Sequence, residues 1–104
     1  MNDIQDQLVH VAQAIIDEKT NLILGCREID RLRSHLEERE SPLFFLFRAI
    51  ASETDHLPFG DVRKHWNEQR LQQLDQETLA YVSEIRDAVV EDCRAIIHAY
   101  GRYI

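Results

Sequence analysis

Five side chains that can move a proton or bind a metal ion are crowded into thirteen residues near the middle of the chain. They are Glu53, Asp55, His56, Asp61 and His65. Carboxylate oxygens and imidazole nitrogens bind divalent metals such as zinc or manganese, and they also act as general acids and bases. Their spacing matches no His-x-x-x-His or Glu-x-x-His pattern of a helix. We therefore assign no metal ligand, cofactor or catalytic residue, and treat these positions as the place where a site would lie.

The stretch that holds these residues, 52–66, also has a structural interpretation, which we favour. Thr54 and Asp55 are residue types that bind loose backbone groups at turns and helix ends. Pro58 restricts the residue before it to an extended conformation, and Gly60 permits a turn. The stretch is therefore predicted to be a structural connector.

A short helix is expected at the end of this connector. Asp61 would cap it, and Val62 and Trp66 are spaced to dock inward together. Arg63 would then pair with one of two carboxylates, Glu53 or Asp55. The residues to examine for any site are Glu53, Asp55, His56, Asp61, Arg63 and His65.

The chain before the connector is predicted to form amphipathic helices. Asn2 is a suitable cap for the first, whose apolar face is Ile4, Leu8, Val11 and Ile15. The same periodicity resumes at Leu22 and continues to about Arg39. One continuous helix would be about 54 Å long, whereas a domain of this size has a radius of gyration near 13 Å. We therefore predict a break near residues 18–21, with Thr20 or Asn21 as the new cap.

The second helix carries Gly25 on its apolar face, where it would allow close helix approach. Its outer face is predicted to be solvated, with ion pairs at helical spacing, Arg27–Asp30 and Arg33–Glu37.

A third helix should start at Ser41-Pro42, a typical N-terminal signal. The apolar run that follows predicts a central helix, with Leu43, Leu46, Phe47 and Ile50 on one face. Phe44 and Phe45 would point elsewhere, and either one left exposed would mark an interface.

The last segment has an eleven-residue repeat of apolar positions, which keeps one face buried along a nearly straight helix. Asp75 could interrupt it by capping a new helix, and Gly101 would end it. Leu79, Tyr81, Val90 and Ile97 lie beside this face, which suggests burial from a second side, by the N-terminal helices or by another subunit. The expected fold is all-α: a single domain, residues 1–104, forming a compact bundle of four to five helices with a long C-terminal helix.

Composition narrows the classes of function. The chain has 104 residues, a net charge of −7 and 44% hydrophobic residues. Negative charge disfavours nucleic acid and anionic membranes as partners. It is compatible with a basic protein partner, although many cytoplasmic proteins are this acidic for solubility alone. Cys26 and Cys93 lie in apolar stripes and are predicted to be buried, unreactive thiols. The absence of a long apolar segment and of a signal peptide predicts a cytoplasmic protein.

Two groups of residues resemble those of a family of small bacterial proteins of unknown function. They are Gly25-Cys26-Arg27 and the motif Ser52-Glu53-Thr54-Asp55-x-Leu57-Pro58-x-Gly60-x-x-Arg63-x-x-Trp66. The similarity extends from about Leu22 to Tyr100. It implies a bacterial source and a helical domain, but no activity.

Three functions agree with these features. The favoured one is a protein-binding module of the immunity or antitoxin type, which masks a basic partner. The second is a small metal-dependent or acid–base enzyme that uses the residue 52–66 stretch. The third is a structural protein that self-associates as a homodimer.

Overall fold

The computed structural model describes residues 3–101, and these form an all-α structure without strands. Its helices are α1 (Asp3–Ile16), α2 (Leu22–Arg33), α3 (Phe45–Glu53) and α4 (Glu68–Tyr100), with short 3₁₀ helices at Pro42–Phe44 and Gly60–His65. The predicted fold class and the long C-terminal helix are confirmed. The expected cap at Asn2 and the C-terminal residues 102–104 lie outside the described residues.

The break predicted between the first two helices is present. Glu18 has a φ of 56°, a left-handed conformation that ends α1. The side chain of Asn21 then accepts hydrogen bonds from the backbone N–H groups of Ile23 and Leu24, at 3.0 and 3.1 Å. One residue therefore turns the chain out of a helix and another starts the next.

Gly25 allows α2 to approach α1 closely, as its sequence position predicts. A Cβ atom at this residue would lie 2.6 Å from Cγ1 of Ile15, which is itself buried. Such a distance is far inside van der Waals contact, so a side chain here requires the helices to move apart.

We expect Gly25→Val to lower the free energy of unfolding by about 1–3 kcal/mol, because its branched side chain would overpack the α1–α2 contact. Leu24→Val is the matched control, since Leu24 is 42% exposed on the same helix. Urea denaturation of both variants checks this prediction. A Gly25→Val protein as stable as the control would contradict it.

The second helix ends earlier than predicted, at Arg33 instead of Arg39. The hydroxyl of Ser34 donates to the carbonyl of Arg31 at 2.6 Å, and such side-chain bonds compete with helix continuation. The predicted ion pairs are also wrong. Arg33 pairs with Asp30 at 2.9 Å, and Arg27 bonds to the backbone of Thr54 instead of to a neighbour on its helix.

The third helix begins as predicted, with Ser41 capping and Pro42 opening a 3₁₀ turn. Phe44 does not point elsewhere: it is fully buried together with Phe47 and Ile50. Residues three apart lie only about 60° from one another around an α-helix, so Phe44 shares the buried face of Phe47 and Ile50. Phe45 is 53% exposed, so this segment packs on one side and is not the central helix that its apolar sequence suggested.

The fourth helix runs unbroken for 33 residues, starting from a cap by Asn67. At 1.5 Å per residue it is about 50 Å long, which matches the 49 Å length of the molecule. Asp75 does not interrupt it. Val89, Cys93 and Ile96 join the core as the repeat predicts.

Burial of α4 from a second side is only partial. Tyr81, Val90 and Ile97 are half-buried, but Leu79 is 70% exposed, so the N-terminal helices do not cover it. The turn that follows α1 contacts α4 at Arg86, which forms an ion pair with Glu18 at 3.3 Å. Within residues 3–101, no helix is both long and apolar enough to cross a membrane.

Candidate functional site

A cleft lies between the C-terminal end of α3 and the N-terminal half of α4. Its volume is about 200 Å³. We call it the α3–α4 cleft, and its lining residues are Glu53, Thr54, His56, Leu57, Glu77, Thr78 and Tyr81. It brings together two of the residues expected at a site, Glu53 and His56, with three from α4.

Thr54 is the buried residue of the cleft lining, with only 3% of its surface exposed. Its hydroxyl donates to the carbonyl of Ile50 at 2.7 Å, and its own carbonyl accepts from the N–H of Leu57 at 3.0 Å. Arg27 of α2 also donates to the Thr54 carbonyl, and its guanidinium lies 5.0 Å from the ring centre of Phe59. The connector is therefore tied to α2 by one arginine.

Glu53 and Tyr81 join the two walls of the cleft. The phenol hydroxyl of Tyr81 donates to Oε2 of Glu53 at 2.6 Å. Burial raises the pKa of Tyr81 above its ordinary value, and the hydrogen bond to Glu53 raises the pKa further. The phenol is therefore a protonated donor throughout the neutral range.

The second 3₁₀ helix differs from its prediction in three ways. Gly60, with a φ of 70°, opens it, and Asp61 does not cap it. Val62 is 53% exposed and Trp66 is 38% exposed, so they do not dock inward as a buried pair.

Arg63 pairs with neither predicted carboxylate. It forms two hydrogen bonds with Asp75 of α4, at 3.1 and 2.8 Å, and a third to the Pro58 carbonyl at 3.3 Å. The hydrogen bonds from Arg63 hold the pKa of Asp75 below its usual range. Asp75 belongs to α4 and not to the connector, so the spacing of residues within the connector does not reveal this pair.

The five residues considered as metal ligands do not form one group. Asp55, Asp61 and His65 are exposed, and they do not line the cleft with Glu53 and His56. In the part of the chain from Asp3 to Gly101, no three His, Cys, Asp or Glu side chains are arranged to hold a metal ion.

The α4 wall of the cleft was missed by sequence reasoning. Glu77, Thr78 and Tyr81 belong to a regular amphipathic helix, and nothing in their local sequence distinguishes them. The one signal in the sequence was the position of Tyr81 beside the predicted buried face; in the structure Thr78 and Tyr81 are both half-buried.

A row of exposed carboxylates continues along α4 from the cleft. We call Glu77, Glu84, Asp87 and Glu91 the carboxylate row. Spacings of seven, three and four residues keep them near one face of the helix, away from the core. Among the ion pairs of residues 3–101, none involves a member of this row. The row spans about 21 Å of a single helix.

The two cysteines are free thiols with no exposed surface, as predicted. Burial is the main cause that raises the pKa of both Cys26 and Cys93 to about 12. Because the thiolate is the nucleophile, neither residue is suited to react in the folded protein.

We expect both thiols to react slowly with Ellman's reagent at pH 8 in the native protein, and rapidly in guanidinium chloride. Their folded pKa values exceed the ordinary value of 9.0. Their contribution to stability is therefore complete below pH 9 and is lost as the pH rises toward 12. A thiol titration and urea melts between pH 8 and 11 measure these effects. Rapid native labelling, or a stability that grows with alkaline pH, would contradict the prediction.

Comparisons with known proteins yield no family model, no curated protein and no solved structure that matches the chain.

Proposed function

We propose that the protein is a small protein-binding module of the immunity or antitoxin type, which masks a basic partner in the bacterial cytoplasm. The observation that carries this proposal is the carboxylate row, Glu77, Glu84, Asp87 and Glu91, which is exposed and without internal ion pairs among residues 3–101. Such a row of carboxylates is complementary in charge to a basic surface.

The carboxylate row lies on a helix that is fixed in place by the core, which suits it to binding. Val89, Cys93 and Ile96 anchor the opposite side of α4 in the core. Little conformational entropy of the backbone is then lost on association, which favours affinity. The overall charge of −7 would also attract a basic partner and accelerate encounter.

The test is co-expression of the tagged protein with the products of neighbouring genes, followed by purification and size-exclusion chromatography. We expect one basic product to co-elute as a stoichiometric complex. Purification of the protein alone, with every neighbour tested, would overturn the proposal.

Two variants show whether such a complex uses the carboxylate row. The row variant is Glu84→Lys, Asp87→Lys and Glu91→Lys, which changes the net charge from −7 to −1, since three replacements add six charges. The control variant makes the same change at three exposed positions away from the row and the cleft, Asp3→Lys, Glu37→Lys and Glu38→Lys. Loss of the complex in the row variant alone supports binding through α4.

Self-association is a second candidate, favoured by the 70% exposure of Leu79 on the part of α4 beyond the end of α1. A large apolar side chain in that position could be covered by another copy of the chain. Light scattering at micromolar concentration distinguishes the two candidates, because the binding-module proposal expects the mass of a monomer.

A further inference from the structure

We propose that the α3–α4 cleft binds the guanidinium group of an arginine side chain presented by the basic partner. This inference rests on the proposed function, and it assigns to the cleft one residue of the partner. The carboxylate row continues from the cleft through Glu77, so both would face the same bound protein.

The hydroxyl groups that line the cleft can accept hydrogen bonds but have no free proton to donate. The hydroxyl of Thr54 donates to the Ile50 carbonyl, and that of Thr78 donates to the Leu74 carbonyl, each at 2.7 Å. Tyr81 donates to Glu53 at 2.6 Å. A hydroxyl has one proton, so each of these oxygens keeps only lone pairs for a ligand.

The charged groups of the lining have the same preference. Glu53 and Glu77 are carboxylates, which only accept hydrogen bonds when ionised. Neither forms an ion pair within residues 3–101. Among the described side chains of the lining, His56 alone keeps a free N–H donor. An anion would meet two carboxylates, so the ligand is a cation with several donors.

The volume of the cleft indicates that its ligand is a single side chain and not a whole metabolite. Its volume of about 200 Å³ is below the ~300–1,000 Å³ of typical small-molecule sites. A guanidinium carries five N–H donors in a plane and can bond two oxygens of a carboxylate at once. The apolar side chain of Leu57 and the ring of Tyr81 provide surface for its aliphatic stem.

The test uses two blocked tripeptides, Gly-Arg-Gly and Gly-citrulline-Gly, which differ in the charge of one isosteric side chain. Titrations are followed by amide chemical shifts of the ¹⁵N-labelled full chain. We expect millimolar binding of the arginine peptide, with shifts concentrated at residues 53–57 and 77–81. The citrulline peptide should bind about tenfold or more weakly.

Conservative variants assign the site. Glu77→Gln removes one charge, and Glu53→Gln keeps an oxygen that can accept from Tyr81. Each should weaken the arginine peptide by about tenfold, whereas the row variant, which retains Glu77, should bind it as the wild type does.

Equal binding of the two peptides, unchanged binding to Glu77→Gln, or shifts spread over the whole surface would overturn the inference. Tighter binding of free arginine than of the peptide would also overturn it, because the cleft would then serve a small molecule. If the row variant loses the partner while Glu53→Gln and Glu77→Gln retain it, the inference fails and the proposed function stands. If no basic partner is found, the proposed function fails, whatever the peptides do.

Discussion

Replacing Phe44 with alanine is expected to lower the free energy of unfolding by about 3–5 kcal/mol. The ring is fully buried and stacks with the ring of Tyr100, with centroids 6.3 Å apart and an angle of 15° between the planes. This contact joins the start of α3 to the end of α4. A domain of this kind has about 5–15 kcal/mol of total stability, so the loss is a large part of it.

The neighbouring phenylalanine provides the control. Phe45 is 53% exposed, so Phe45→Ala should change stability by only about 0.5 kcal/mol. Guanidinium denaturation of the two variants, followed by circular dichroism, makes the comparison. Equal effects of the two substitutions would mean that Phe44 does not lie on the buried face of this segment.

Replacing Arg27 with alanine is expected to cost about 2–4 kcal/mol, the second largest effect. The change removes a charged hydrogen bond to the Thr54 carbonyl, worth about 1.5–3 kcal/mol, and a cation–π contact with Phe59, worth about 0.5–2 kcal/mol. Because this arginine ties the connector to α2, hydrogen exchange should accelerate in residues 54–66 before it does in the core.

Two substitutions serve as comparisons for Arg27. Arg27→Lys should recover only a small part of the loss, because an ammonium lacks the planar donors and the stacking surface. Arg31→Ala should leave stability nearly unchanged, since Arg31 is exposed and pairs only with its neighbour Glu28. Full recovery by lysine would show that a positive charge alone is needed at this position.

The fold was predictable where local chemistry decides it. The break at residues 18–21, the close approach at Gly25 and the start at Ser41-Pro42 each depend on a few adjacent residues, and each is confirmed. The eleven-residue repeat likewise determined the buried face of α4, because periodicity is a property of the helix itself.

The errors arise where partners are distant in sequence. Arg27 was given a partner three residues away, but bonds to Thr54, 27 residues away. Arg63 was given a carboxylate of the connector that precedes it, but bonds to Asp75 of the helix that follows. Arginine side chains are long and bond to whichever acceptor the packing of the helices places within reach. Residues that are adjacent in sequence do not determine that packing. The place of Phe44 was wrong for a different reason: Phe44 lies one turn before Phe47 on the same side of the helix, and the packing of the helices decides how wide the buried face is.

The sequence predicted one part of the candidate site, the connector residues, and missed the part on α4. Glu53 and His56 were expected to matter and both line the cleft, whereas Glu77, Thr78 and Tyr81 enter it only because α4 passes the end of α3. Asp55, Asp61 and His65 were grouped with them by proximity in sequence, and the turns of the connector direct them elsewhere.

We propose that the exposed carboxylates of α4 bind a basic protein. The most direct measurement is calorimetric titration of the co-purified partner, at low and at physiological salt, with the wild type, the row variant and the control variant. We predict binding that is weakened about 100-fold or more in the row variant and about threefold or less in the control, because screening confines each charge to about 8 Å. Equal losses in the two variants would show that only net charge matters, and unchanged affinity in the row variant would refute binding through α4.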